Sequence, residues 1–238
     1  MMTRFRLPLG RGLFFVLAFV FALVALLPLR IGLDWFGLGE RGFAAREATG
    51  SVWIGAVREA QFGKVALGDL ATSLNTLPLF LGRARISVEG LDGRNFKGAF
   101  VSTRRGVGVD DLTAQLSLAG ALGPLPIATV DADDVSVGFE NGQCRHAEGR
   151  VRAGLSGNVG GIPLPGLAGT ARCDAGLLLL PLVSSSGGER LQLRIGGDGR
   201  YRADLSVRPS LPGMGPALTA AGFAPAGEGF VLRMSGEL

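Results

Sequence analysis

The stretch Arg190–Arg208, RLQLRIGGDGRYRADLSVR, reads as two strands about a tight turn. Leu191, Leu193 and Ile195 alternate with Gln192 and Arg194; beyond Gly197-Asp198-Gly199, Tyr201, Ala203, Leu205 and Val207 alternate with Arg202, Asp204, Ser206 and Arg208. A period of two puts one set on a buried face and the other on a wetter one, and glycine with aspartate between such runs signals a hairpin. The same alternation recurs in Leu112–Gly120 (LTAQLSLAG), Arg85–Glu89 and Val135–Phe139. Asp92-Gly93 and Asn141-Gly142 supply further turns at the short spacing of an antiparallel meander. Only Asn75–Leu81, NTLPLFL, reads as a helical turn, and Pro78 limits it. The predicted fold class is therefore all-β: a curved antiparallel sheet or partly open barrel.

Glycine supplies 39 of 238 residues, against a usual share of about 7%, without a collagen or linker period. Dispersed through strand patterns, it predicts bulges, bends and close backbone approaches. Two Pro/Gly-rich patches, Gly120–Pro126 and Gly154–Gly169, are too short and apolar for free linkers; the first marks a division into two lobes near 120–126.

The N-terminus follows another pattern. Gly12–Leu29, GLFFVLAFVFALVALLPL, carries no charge over eighteen residues, which as a helix spans roughly 27 Å, close to a hydrocarbon core of about 30 Å. Arg4, Arg6 and Arg11 precede it with no acidic residue among them, so the positive-inside bias predicts a cytoplasmic segment 1–11, a single transmembrane helix 12–30 and a periplasmic domain 31–238. No A-x-A-like cleavage site follows the run, which favours a retained inner-membrane anchor over a cleaved signal peptide. Trp35, just beyond the run, reads as a headgroup-level anchor.

Charge and cysteine usage narrow the function. Three of the four excess positive charges are Arg4, Arg6 and Arg11, leaving the rest of the chain at +1 with its arginines scattered; nucleic-acid binding needs a basic stripe, and none is present. Cys144 and Cys173 are the only cysteines. Both lie in the segment expected in an oxidising compartment, which points to a disulfide closing a loop of about 30 residues and stabilising the fold by about 3–4 kcal/mol; two unpaired thiols are the alternative. A zinc site is disfavoured, because His146 is the sole histidine and nothing near Cys144 completes a ligand set.

Catalytic signatures are missing in the same way. Gly37–Gly42, GLGERG, matches a dinucleotide-loop spacing but follows no strand. Asp131, Asp133, Asp134, Glu140 and Asn141 cluster, yet Val135 and Ser136 stand where a calcium loop needs an oxygen ligand and a glycine, so a solvated strand entry is expected. Ser184-Ser185-Ser186 has no neighbouring base and reads as a polar loop. Asp110 and Asp111 are adjacent, so on a regular strand they point to opposite faces and do not work as a pair. The expectation is a non-enzymatic chain with no cofactor and no metal. In Gly50-Ser51-Val52-Trp53-Ile54-Gly55-Ala56, Trp53 is expected within an alternating strand, packed over Gly50 and Gly55.

Those seven residues, shortly after one apolar helix, resemble the G-[ST]-[LV]-W-x-G-x-A signature of the type II secretion system protein N family. The resemblance continues in order through Leu67-Gly68-Asp69, Pro78–Gly82, the Cys144 and Cys173 pair, Leu178–Leu182 and Asp198-Gly199-Arg200-Tyr201. It implies an inner-membrane accessory component of the machine that moves folded proteins across the outer membrane. Such a component is not an enzyme; its partners would be other type II secretion subunits and the inner-membrane bilayer. Gly50, Trp53, Gly55, Cys144 and Cys173 would define its fold. The alternative is a lipid-binding or lipid-transfer module whose sheet forms an apolar trough, as in the AsmA-like envelope proteins that the strand pattern and Gly-Trp motif also resemble.

Overall fold

Alternating side chains and short turns carry most of the described chain beyond residue 42 into strands, overriding its many alanines and leucines. A computed structural model describes residues 9–31, 42–93, 95–118, 127–155, 158–159, 162–163, 165–209 and 213–237. Helix α1 (Leu9–Ala25) precedes β1 (Phe43–Ala44), β2 (Glu47–Gly50), β3 (Ile54–Phe62), β4 (Val65–Asn75), a short helix α2 (Thr76–Phe80), β5 (Arg83–Gly90), β6 (Phe96–Thr103), β7 (Gly106–Ser117), β8 (Ile127–Glu140) and β9 (Gln143–Leu155). A small ladder of β10 (Asn158–Val159) and β11 (Ile162–Pro163) leads to β12 (Leu167–Thr170), β13 (Arg172–Asp174), β14 (Leu177–Ser184), β15 (Glu189–Ile195) and β16 (Arg200–Val207). Helix α3 (Gly215–Ala220), β17 (Ala224–Ala226) and β18 (Gly229–Glu237) complete the described chain.

Sixteen strands form one antiparallel sheet, and its order follows the sequence almost without exception: β1-β3-β4-β5-β6-β7-β8-β9-β12-β14-β15-β16-β18-β17, with β2 also on β3 and β13 also on β14. Among the described residues its two ends do not pair, so the sheet is open. The Arg190–Arg208 stretch is the expected hairpin: Leu191 faces Leu205, Leu193 faces Ala203 and Ile195 faces Tyr201.

Strand bulges bend this sheet. Register slips at Val57/Ala60, Val109/Leu112 and Asp133/Ser136, and within them Glu59, Asp111 and Asp134 take left-handed φ of 48°, 53° and 54°. A bulge takes a backbone N–H out of the ladder, and here a side chain on the adjacent strand accepts it: Glu59 N–H donates to Asp69 Oδ1 at 2.8 Å, Asp111 N–H to Ser136 Oγ at 3.0 Å, and Asp134 N–H to Thr113 Oγ1 at 3.3 Å. The bulges expected from glycine are thus carried here by acidic residues. Gly149 instead serves close approach, since a Cβ there would stand 2.3 Å from the Asp134 carbonyl. As a result β4 and β7, three ladder steps apart, come within 8 Å Cα to Cα, where a flat sheet would hold them at about 14 Å.

The curled faces enclose three apolar clusters. One gathers Val57, Leu70, Val88, Phe96 and Ala114 with Leu29; a second, Ile127, Val151, Leu167, Leu182, Leu191 and Leu205, is covered by Leu218 of α3 and by Phe223; a third surrounds Cys144 with Ala171 and Leu178. Complete burial of a leucine such as Leu218 stabilises by about 1.5–3 kcal/mol.

The apolar run differs from its expected bounds of 12–30. The helix is α1, 17 residues ending at Ala25, and among the described residues no helix is long and apolar enough to cross a membrane. Pro28 disfavours helical backbone at Leu27, and Pro28 pairs instead with Ser51 as an isolated β-bridge. Leu29, read as lipid-facing, is a core residue of the sheet domain, 7% exposed. Trp35, most of Gly37–Gly42 and the whole of the 120–126 patch lie outside the described residues.

Candidate functional site

The residues singled out near the N-terminus converge on the place where α1 meets the sheet. β2 and β3 pair from Glu47 opposite Arg58 to Gly50 opposite Gly55, leaving Ser51-Val52-Trp53 as the turn. Trp53 therefore sits at the tip of a hairpin rather than inside a strand, as its sequence context implied. A helix C-terminus leaves four carbonyls without intrahelical donors. Val24 O, one of them, accepts from Trp53 Nε1–H at 2.9 Å and from Leu27 N–H at 3.3 Å. Val52 N–H donates to Leu27 O at 3.0 Å, and Arg30 Nε–H donates to Ala48 O at 3.1 Å.

The two glycines of the motif do separate jobs. Gly50 has φ +84°, a turn conformation that strains any other residue, and a Cβ there would stand 2.6 Å from Ile54 O. At Gly55 a Cβ would meet Leu29 Cδ2 at 2.7 Å and Thr49 O at 2.9 Å. Its bare backbone is what lets Leu29 seat against the hairpin. Trp53 O in turn accepts from Leu74 N–H at 3.2 Å, tying the turn to β4. This motif is a fastening between helix and sheet, built from hydrogen bonds and a backbone-tight contact. Sequence reasoning missed its partners Val24, Leu27, Leu29 and Arg30; Pro28, placed late in the apolar run, is the signal that marks where the helix gives way.

A second fastening lies halfway along the sheet. Cys144 on β9 and Cys173 on β13 form a disulfide with Cα atoms 5.5 Å apart. β12 and β13 succeed each other between β9 and β14: β12 pairs with both, whereas β13 pairs with β14. Among the described residues no ladder pair joins β13 to β9, and the disulfide bridges that gap, aided by Cys144 N–H donating to Gly176 O at 2.7 Å.

Asp110 and Asp111 do work together, contrary to the alternation argument. The bulge at Asp111 resets the side-chain direction, and Arg85 on β5 reaches both: Nη1 bonds Asp110 Oδ2, and Nη2 lies 3.1 Å from Asp111 Oδ2. The pair serves a strand-to-strand ion cluster. Ser184 and Ser186 close the β14–β15 turn, with Ser184 Oγ 2.9 Å from Ser186 Oγ, which donates to Glu189 Oε2 at 3.0 Å. His146 Nε2 lies 3.2 Å from Glu148 Oε1, both exposed. Among the described residues no three His, Cys, Asp or Glu side chains are placed to hold a metal ion.

These features define a class: an open, disulfide-linked antiparallel β domain fastened to one helix that is uncharged from Gly12 to its end at Ala25. The family model described as type II secretion system (T2SS), protein N, matches residues 41–233, from just before β1 into β18. The chain belongs to the type II secretion system protein N family, and is a component of that secretion machinery. No curated protein and no solved structure matches it.

Proposed function

We propose that the chain is a non-enzymatic accessory component of the type II secretion system, held in the inner membrane by α1, with its sheet domain in the periplasm, where it docks other secretion subunits during export of folded proteins. The observation that carries the anchor is the surface of α1. Leu13, Phe14, Phe15, Val16, Leu17, Phe19, Phe21 and Leu23 are all exposed, and together they encircle the helix. A helix apolar all round requires a greasy environment. Its uncharged stretch Gly12–Ala25 spans about 21 Å against a hydrocarbon core of about 30 Å, a difference met by bilayer thinning and by snorkelling of flanking residues toward the interface. The Cys144–Cys173 bond fits an oxidising compartment.

Docking is assigned to the sheet edge. β17 covers β18 at Gly229–Val231, while Leu232–Glu237 pair with β16 on one side and with nothing described on the other. An unpaired strand edge offers backbone donors and acceptors to an incoming strand. The test is a photo-crosslinking residue placed along Leu232–Glu237 in a type II-secreting strain, followed by identification of the adducts. Adducts to secretion subunits are expected. Their absence would overturn the docking assignment, and adducts to phospholipid in their place would transfer the role to the lipid-binding alternative.

A further inference from the structure

Several exposed apolar side chains gather at one end of the sheet, the end at which α1 enters. Ile54 opens β3 and is 77% exposed; Leu77 in α2 is 80% exposed and Leu81, just after it, 88%. Trp53 fixes their position relative to α1, because its indole bonds Val24 O while its carbonyl holds Leu74 N–H, two residues before α2. Helix α2 lies against β5. Arginines border this apolar corner. Arg83 begins β5 opposite Thr103, and Arg104 and Arg105 form the adjoining β6–β7 turn. All three are exposed, and none makes an ion pair among the described residues. The acidic groups nearby are Asp110 and Asp111, taken up by Arg85, and Glu140, opposite Gly106 on the neighbouring strand.

We propose that this corner is a second membrane contact: Ile54, Leu77 and Leu81 enter the interface of an anionic bilayer, and Arg83, Arg104 and Arg105 meet its phosphates. The inference rests on α1 being the membrane anchor and adds that the sheet domain lies against the bilayer rather than standing clear of it. Apolar groups beside cationic ones are what an interfacial segment requires. Anionic headgroups attract each nearby arginine strongly enough to change local occupancy about fivefold. The bilayer is the chosen occupant because the corner continues directly from the end of α1.

The test uses the full-length chain reconstituted in phosphatidylcholine vesicles with or without phosphatidylglycerol, carrying a photo-crosslinking residue at Leu77, Leu81, Phe15 or Leu91. Leu91 is the control, an exposed leucine at the opposite end of β5. Expected are lipid adducts at Phe15 in both vesicles, and at Leu77 and Leu81 several-fold above Leu91 when phosphatidylglycerol is present. Arg104→Gln, which removes one positive charge, should lower the Leu77 adduct about fivefold. Adducts at Phe15 with Leu77 and Leu81 no higher than Leu91 would overturn this inference alone. Loss of the Phe15 adduct would overturn the anchor as well, and adducts at Leu77 indifferent to phosphatidylglycerol would overturn the role of the arginines.

Discussion

Replacing Cys144 and Cys173 together by alanine removes the bond that joins β9 to β13 where no ladder pair does so. The bond spans 29 residues in sequence. Releasing a loop of about 30 residues returns about 12 cal/mol/K to the unfolded chain, which at 25 °C is about 3.6 kcal/mol. For a domain of this size each kcal/mol moves the midpoint by about 2–4 °C, so the expected fall in Tm is about 7–14 °C. Thermal unfolding of the full chain in detergent, with and without reductant, measures it. Reductant should bring the parent protein down to the midpoint of the double variant and leave the variant itself unmoved. A variant within about 2 °C of the parent would refute the argument that this bond carries the β9–β13 seam.

Other perturbations probe the remaining fastenings. Gly55→Ala forces a Cβ against Leu29 Cδ2 at 2.7 Å and Thr49 O at 2.9 Å; a loss of about 1–3 kcal/mol is expected, read from denaturant midpoints, and Leu29→Ala in the same chain should recover part of it. Trp53→Phe keeps an aromatic ring but loses the indole Nε1–H donor to Val24 O; about 1 kcal/mol of local stability should go, seen as faster proteolysis between Ala25 and Ser51 with the sheet's hydrogen-exchange protection unchanged. Arg85→Met leaves Asp110 and Asp111 facing each other without their cation, and should cost about 1 kcal/mol at this partly exposed site, recovered when both aspartates become asparagine.

The strands were legible because one-sided burial imposes a period of two on the residues that build them. Leu191, Leu193 and Ile195 sit on the register their alternation implies, and Asp92-Gly93, Asn141-Gly142 and Gly197-Asp198-Gly199 each fall between paired strands. Other features were hidden for identifiable reasons. Apolarity alone does not separate a lipid-facing leucine from a core leucine, so Leu29 was assigned to the apolar run although its packing belongs to the sheet. Alternation presumes a regular ladder, and the left-handed residue at Asp111 breaks that premise, bringing two adjacent carboxylates onto one arginine. Trp53 was read as a strand residue because its segment alternates between flanking glycines; with Gly50 paired opposite Gly55, those glycines instead close a short hairpin whose turn carries Trp53. The disulfide was legible through compartment and cysteine count, whereas its place at a break between β12 and β13 was a matter of topology.

The account depends most on the side of the membrane to which α1 delivers the sheet. The direct measurement is a pair of C-terminal fusions in a type II-secreting bacterium: alkaline phosphatase, which is active only where disulfides form, and a fluorescent protein that matures in the cytoplasm. Active phosphatase with a dark fluorescent fusion, both in the inner-membrane fraction, is the predicted result. A fluorescent fusion with inactive phosphatase would contradict it.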